Sequence, residues 1–421
     1  MIKISFSQRY LYKFFYSCLL IFSVTFVFCI AVTKPGIQHY HKSNVVNMVN
    51  GTAFRPFVYR TLVPYIANKI NASIPQKTRQ IIAQTTENNS TLKLIFSDRK
   101  WKVGYASEYY IVLILMYISL WGFAFSLTYL FKGVFKTHER FRDTVCLLTI
   151  LGLPCLYTYN TYIYDFTTLF LFTLGLATVI RQKWTTYLWI FVLACINKET
   201  TILLTCIYAI HFFRHPKLDL STYLFILGIQ IVNFTSIKIV IDWLFLHNPG
   251  SIAEFWLERN AKLLLHPYSI ANYLQWFVLG FLVIYKWSEK PLFLKQGLLI
   301  LIPLLGTTLF WGWINELRDY YEAYPIVILL IAYSMARILG VSIQTATLPS
   351  TDDPFKEPTD TCAKVPNSDK SSGFSLDESN PQRSILDARP GEDAYPGSPT
   401  ASDPRMISSS ETPRSLHKEL K

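Results

Sequence analysis

Charged residues in this chain recur beside long apolar runs, where charge is costly. Asn197-Lys198-Glu199 lies between two apolar runs, and Glu316-Leu317-Arg318-Asp319 comes just before the last one. A further acid, Asp165, begins another run. Charge at membrane depth is rarely kept without a use, because its removal from water costs free energy. These residues are therefore the first candidates for chemistry.

Carboxylates form the first candidate group, because a carboxylate can take a proton from a hydroxyl group. Asp165, Glu199 and Glu316 are the candidate catalytic residues, and Asp165 or Glu199 is the favoured base. Asp319 shares a helix face with Glu316 at a spacing of three and is assigned to substrate binding. The alternatives are structural: a partner for a helix dipole, a Lys–Glu pair that caps two half-helices, or an interfacial anchor.

Cations form the second candidate group, since arginine and lysine bind phosphate. Lys198 and Arg318 stand inside the two charged motifs, and Arg55 and Arg60 lie in the first long loop. If Pro56 starts a helix, Arg55 lies at its N-terminus, which is a good place for a phosphate. Nonspecific binding of lipid headgroups is the alternative for the two loop arginines.

The composition indicates a membrane protein. The chain is 51% hydrophobic and 16% charged, well below the roughly 25% charge of soluble domains. Its apolar residues cluster in ten runs, as a polytopic helical protein requires. The runs are 14–32, 108–131, 144–158, 166–180, 184–196, 200–213, 221–241, 271–285, 292–313 and 322–340. The predicted fold is all-α, with about ten transmembrane helices.

The basic excess belongs to the predicted membrane domain, residues 1–340. That part holds 31 Lys and Arg against 15 Asp and Glu, whereas 341–421 holds 9 against 13. With ten helices, the N-terminus, the short basic linkers and Arg337 place 14 Lys and Arg in the cytosol, against four in the short outer linkers. We predict a multi-pass protein of a bacterial inner membrane with both termini cytosolic. Its basic surface faces anionic lipid and not nucleic acid.

One point of topology stays open. Runs 184–196 and 200–213 are shorter than the roughly 20 residues that a span needs. They form either a hairpin or one long helix with Asn197-Lys198-Glu199 in its middle, which would invert everything downstream. The hairpin is preferred, because it keeps a lysine and a glutamate away from the middle of the bilayer.

Two sizeable outer loops, 33–107 and 242–270, are predicted to carry amphipathic helices that lie in the interface. The first loop has a candidate over 55–70, which Pro64 would kink. The second has one over 251–265, where Ser251 and Glu254 form a capping box. Glu254, Glu258 and Arg259 are weaker site candidates, since they also fit a solvated helix face.

Residues 341–421 are predicted to form a disordered cytosolic tail. They are rich in Ser, Pro, Asp and Thr, and they contain too few large apolar residues to offset the entropy of ordering. The seven Cys and eight His residues show no metal-ligand spacing. No metal or cofactor is therefore predicted.

These features together resemble the GT-C superfamily, polytopic membrane glycosyltransferases that use polyprenyl-phosphate-linked sugars on the extracytoplasmic side. The resemblance covers about residues 10–340 and rests on the segments 57–64, 164–169, 197–200 and 316–318. It implies a polyprenyl-phosphate sugar donor and a role in cell-surface polysaccharide or glycolipid assembly. The family usually has an acid early in the first outer loop, whereas residues 33–86 contain none. The base must then be Asp165, Glu199, Glu316 or Asp319.

Three other functions fit the same features. A transporter or flippase of a lipid-linked or anionic solute would use the interruption at 197–199 as its binding point. A polysaccharide polymerase shares the many helices and the large basic outer loops. A non-catalytic scaffold would use its tail for interactions. Solute uptake without a donor sugar would favour transport over glycosyl transfer.

Overall fold

Helices dominate the computed structural model, which describes residues 6–34, 37, 40–213, 215–216, 218–266 and 269–346. The α-helices are α1 Phe6–Thr33, α2 Val45–Val49, α3 Leu62–Ser73, α4 Gln76–Asn88, α5 Ser90–Asp98, α6 Ala106–Val134, α7 Glu139–Gly152, α8 Asp165–Ile180, α9 Trp184–Asn197, α10 Ile202–Phe212, α11 Leu220–Leu244, α12 Leu257–Leu265, α13 Ile270–Ile284, α14 Leu292–Gly297, α15 Leu301–Trp311 and α16 Tyr324–Ile338. Each of the ten predicted apolar runs is helical over most of its length, so the all-α prediction is confirmed.

Within the described ranges, four helical stretches are long and apolar enough to cross a membrane. They are Gln8–Thr33, Val103–Val134, Leu220–Leu244 and Leu292–Trp311. The other apolar helices are shorter, so length and composition support a membrane protein while ten crossings remain a prediction. The apolar side chains on α11 and α13 are widely exposed, as at Trp243 and Phe277. Contact with lipid tails would cover such surfaces.

A two-stranded antiparallel sheet joins the end of α6 to the segment after α16. Its strands are β1, Phe135–Thr137, and β2, Ile343–Thr345, with Phe135 opposite Thr345. We call this end of the helices the strand end. The described chain thus continues in a regular element beyond residue 340, where the predicted membrane domain stops. The rest of the predicted tail, 347–421, lies outside the described residues.

Helices α9 and α10 form a hairpin. The ring of Trp184, at the start of α9, packs against those of Tyr208 and Phe212, near the end of α10, with centroids 5.5 and 5.1 Å apart. In one continuous helix Trp184 and Phe212 would be about 42 Å apart. The structure therefore adopts the preferred alternative and places Asn197-Lys198-Glu199 at the hairpin tip. We call the end of the helices that contains this tip the charged end.

Helix α8 is the centre of the packing, and nearly all of its side chains are buried. A Cβ atom on Gly122 of α6 would lie 2.8 Å from the Phe170 ring, and one on Gly175 would lie 2.7 Å from Leu204 of α10. A side chain at either position would have to displace Phe170 or Leu204, because α8 approaches its neighbours so closely. This packing fixes the N-terminus of α8, and with it Asp165, at the charged end.

Both predicted loop helices begin later than the sequence pattern suggested. Helix α3 begins at Leu62, so Pro64 lies in its first turn, where the missing N–H has no intrahelical partner to lose. The predicted kink is therefore wrong. Helix α12 begins at Leu257, and the Ser251 hydroxyl donates to the Ala253 carbonyl instead of capping a helix. The predicted capping box is also wrong.

Candidate functional site

A cavity of about 570 Å3 lies at the charged end and contains most of the predicted site residues. Its wall comes from loop segments before α3 and α8, the hairpin tip, the end of α11 with its following loop, and the end of α15 with its following loop. Six predicted residues line it: Arg60, Lys198, Glu199, Glu316, Arg318 and Asp319. Asp165 and Arg55 do not.

Arg60 and Glu199 form an ion pair on the cavity wall. Arg60 Nη2 donates to Glu199 Oε1 at 2.7 Å, and Arg60 Nη1 donates to the Tyr164 hydroxyl. Burial alone would lower the pKa of Arg60, but Glu199 and Tyr164 hold that pKa above its usual range. The Glu199 side chain is 44% exposed, against 12% for Arg60. Glu199 is thus a fixed carboxylate that a ligand can reach.

Arg318 is surrounded by three carboxylates. Its Nε donates to Glu316 Oε1 at 2.7 Å, while the nearest oxygens of Asp165 and Asp319 are 3.7 Å from the guanidinium nitrogens. The guanidinium also lies over the Tyr162 ring, 4.2 Å from its centroid. Burial raises the pKa of the Glu316 carboxyl, although Arg318 acts in the opposite direction. The cluster holds Arg318 in one position at the cavity wall.

Asp165 lies behind this wall and is 2% exposed. Its Oδ2 accepts a hydrogen bond from the Tyr162 backbone N–H at 2.8 Å, and its Oδ1 faces Arg318. The negative charge of an acid at this position also interacts favourably with the dipole at the N-terminus of α8. In this geometry Asp165 supports Arg318 and the helix start, and it does not reach the cavity.

The hairpin tip is held by a buried ion pair that was not predicted. Lys198 Nζ donates to Glu322 Oε1 at 2.9 Å, and the Thr200 hydroxyl donates to the same oxygen. Lys198 is 5% exposed and Glu322 is fully buried. Asn197 Nδ2 donates to Thr168 Oγ1 of α8 at 2.9 Å. Glu322 stands at the start of an apolar run, where a charge is costly, and this position could have identified it as a candidate.

Sequence reasoning also missed further charges in the cavity wall. Lys42, which was not predicted, donates to Glu254, one of the weaker site candidates, and this hydrogen bond raises the pKa of Lys42. The Tyr59 hydroxyl donates to Asp242 Oδ1 at 2.7 Å. Lys238 donates to the Cys195 carbonyl at 2.7 Å. Lys238 lies inside the apolar run 221–241, and a lysine there was itself a signal.

Arg55 holds two loops together and does not face the cavity. Its Nη2 donates to the Gly250 carbonyl at 2.7 Å, and its backbone N–H donates to the Pro249 carbonyl at 2.8 Å. Gly250 has a φ of +95°, and a Cβ there would lie 2.7 Å from the Arg55 carbonyl oxygen. No α-helix starts at Pro56, since only a 3₁₀ turn over Phe57–Tyr59 follows it. The predicted phosphate site at a helix N-terminus is therefore absent at Arg55.

Aromatic rings lie on the part of the wall next to α12. Trp256, Trp311 and Trp313 line the cavity, and the Trp256 and Trp313 rings meet edge to face with centroids 5.6 Å apart. The Arg259 guanidinium lies 3.8 Å from the Trp313 ring centroid. Large rings with few polar atoms suit the apolar faces of a ligand, while charges elsewhere on the wall suit its polar groups.

Asn260 fixes the chain that carries Trp313. Its Nδ2 lies within hydrogen-bonding distance of the Thr308, Leu309 and Gly312 carbonyls, and its Oδ1 accepts from the Ile314 N–H.

Asn260 is fully buried, so the Asn260→Ala substitution would leave buried backbone groups without partners. We expect a loss of about 1–3 kcal/mol in the free energy of unfolding. Denaturant unfolding followed by tryptophan fluorescence would measure it. An unchanged midpoint would contradict this role, and exposed Asn88, replaced by Ala, is the control.

Comparison with protein-family models, curated proteins and solved structures finds no match for this chain. The resemblance to the GT-C superfamily thus stays a prediction from the motif residues. Among the described residues, no group of three or more His, Cys, Asp or Glu side chains could hold a metal ion. The groups that could do chemistry at the charged end are therefore the acids, the cations and the aromatic rings of the cavity wall.

Proposed function

We propose that this protein is an integral membrane glycosyltransferase that moves a sugar from a polyprenyl-phosphate donor to an acceptor. The observation that carries the proposal is the convergence of carboxylates, cations and tryptophans on one cavity. These groups come from segments as distant in sequence as Lys42 and Asp319. Two helical stretches beside the cavity, Leu220–Leu244 and Leu292–Trp311, are long and apolar enough to cross a bilayer, where such a donor would lie.

The chemistry needs a base, a clamp for phosphate and a surface for the sugar. In an inverting transfer, an acceptor oxygen bonds to the anomeric carbon as the bond from that carbon to the phosphate oxygen breaks. The released electron pair stays on the phosphate, and Glu199 takes the acceptor proton. Arg60 and Arg318 stabilise the negative charge on the leaving phosphate. Trp313 and Trp256 provide the apolar face against which the sugar ring lies.

The remaining acids have supporting roles in this proposal. Glu316 and Asp319 are the other predicted acids on the wall, and both flank Arg318. Asp165 holds Arg318 from behind. Glu199 is favoured as the base, because it is the predicted acid whose side chain is most exposed to the cavity.

The cellular side of the reaction follows from the charge distribution. The positive-inside count supports an orientation in which the charged end of the helices lies outside the cytosol. The acceptor would then be a growing polysaccharide or a glycolipid at the cell surface, and the membrane a bacterial inner membrane. This orientation belongs to the proposal.

A transfer assay in liposomes tests the proposal. The purified protein is reconstituted with a panel of polyprenyl-phosphate sugars, with nucleotide sugars as a separate arm, and release of polyprenyl phosphate is measured. We expect release from at least one lipid-linked donor and none that depends on nucleotide sugars. Liposomes without the protein define the background. Transbilayer movement of the lipid without cleavage would contradict the proposal and favour a flippase.

A further inference from the structure

Lys238 differs from the other cations of the cavity wall. Lys42, Arg60, Lys198 and Arg318 each have a carboxylate oxygen at ion-pair distance. Among the residues that the structure describes, no carboxylate oxygen lies within 4.0 Å of Lys238 Nζ. Lys238 is thus the wall cation whose charge has no such partner inside the described protein.

The hydrogen bonds of Lys238 lead to the same conclusion. An ammonium group has three donors, and the Cys195 carbonyl accepts from one of them at 2.7 Å. This bond fixes the ammonium group against the end of α9 without neutralising it. A half-buried charge is costly unless it is paired. An anionic group of a ligand would supply the missing partner.

The position of Lys238 in its helix indicates the kind of anion. It lies six residues before Leu244, the end of α11, which corresponds to about 9 Å along the helix axis. Its neighbours Ile239 and Val240 are apolar and exposed. Helix α11 is one of the stretches that could cross a membrane. If α11 crosses a bilayer, Lys238 would lie near the boundary between hydrocarbon and headgroups, where lipid phosphates lie.

We propose that Lys238 binds the phosphate of a lipid-linked substrate. This inference rests on the proposed function, because that phosphate would be the leaving group of the donor. Glu199 and Arg60 both lie within electrostatic reach of Lys238, although Glu199 is paired with Arg60, and Arg60 would face the same phosphate. The lipid chain would extend past the apolar wall formed by Ile241 of α11 and Leu304 of α15.

A binding assay tests the role of Lys238 without any transfer reaction. The melting temperature of the purified protein in mixed micelles is measured against polyprenyl phosphate, the matching polyprenol and inorganic phosphate. Polyprenyl phosphate should stabilise the natural protein. The Lys238→Met variant should bind it about 10- to 100-fold more weakly, as loss of a charge-assisted hydrogen bond implies. Polyprenol should act equally on both proteins.

Three further variants make the result specific. Lys238→Arg keeps the charge and should keep most of the affinity, while Lys262→Met removes a cation whose side chain is 74% exposed and should change nothing. Lys238→Gln replaces Lys238→Met if the latter does not fold, as judged by its circular dichroism and its melting temperature without ligand.

The outcomes separate this inference from the proposed function. Equal affinity of Lys238→Met and the natural protein for polyprenyl phosphate would overturn the inference. Binding of inorganic phosphate as tight as that of polyprenyl phosphate, with the same dependence on Lys238, would overturn the assignment to a lipid. Lys238-dependent lipid binding without sugar transfer would support the inference and count against the glycosyltransferase.

Discussion

The Glu199→Gln substitution is expected to lower the rate of sugar transfer by about 10²- to 10⁴-fold, the usual contribution of a general base. The amide has nearly the shape of the carboxylate and can still accept a hydrogen bond from Arg60, but it cannot take a proton from the acceptor. The loss should appear in kcat with little change in the KM for the donor, since an interaction specific to the transition state is removed. Single-turnover measurements with a lipid-linked donor would show this.

Two comparisons define the role of Glu199. Glu258→Gln changes a glutamate on α12 whose side chain is 85% exposed and should leave the rate unaltered. Asp165→Asn should reduce the rate less than Glu199→Gln, because Asp165 is buried behind Arg318 and acts through it. Full activity in Glu199→Gln would remove Glu199 from the mechanism and leave Glu316 or Asp319 as the base.

The Glu322→Ala substitution is expected to lower the free energy of unfolding by about 3–5 kcal/mol, the usual cost of leaving one member of a buried ion pair alone. Glu322 is fully buried and Lys198 is 5% exposed, so solvent cannot replace the lost carboxylate. Thr200 loses its hydrogen-bond acceptor as well. The transition midpoint, followed by tryptophan fluorescence in detergent micelles, would report the change.

A double substitution separates the ion pair from general damage to packing. Lys198→Met combined with Glu322→Met removes both charges, and it should recover most of the stability that either single change loses. The Glu258→Ala substitution breaks an exposed pair with Lys262 and should have no measurable effect. A midpoint unchanged by Glu322→Ala would show that Lys198 does not need this partner.

The helical framework was largely predictable, because apolar runs and their basic linkers carry a strong local signal. The predictions failed where the position of an element depends on several residues at once. Pro64 interrupts an amphipathic pattern in the sequence, yet it lies in the first turn of α3 in the structure and does not break the helix. Ser251 has the residue type of a cap, yet α12 begins six residues later. Local patterns predict that a helix exists better than they predict where it starts.

From the sequence, one could predict at which end of the helices the site residues lie, but not which of them form ion pairs. Glu199 and Arg318 were expected at one side, and both line the cavity there. Asp165 was expected in the same pocket, but the rotation of α8 turns it behind Arg318, and no spacing rule gives that rotation. No local pattern could identify Glu322 as the partner of Lys198, because the two residues are 124 positions apart.

That separation has a consequence for how the protein is made. Translation proceeds at about 5–20 residues per second, so Lys198 is added to the chain about 6–25 seconds before Glu322. During that interval the tip of the α9–α10 hairpin carries a charge without its buried counterion. Only when the last apolar segment arrives can the tip enter the protein and the cavity close around it. Assembly of the binding site is therefore a late event of membrane insertion, and a chain that ends before residue 322 would lack it.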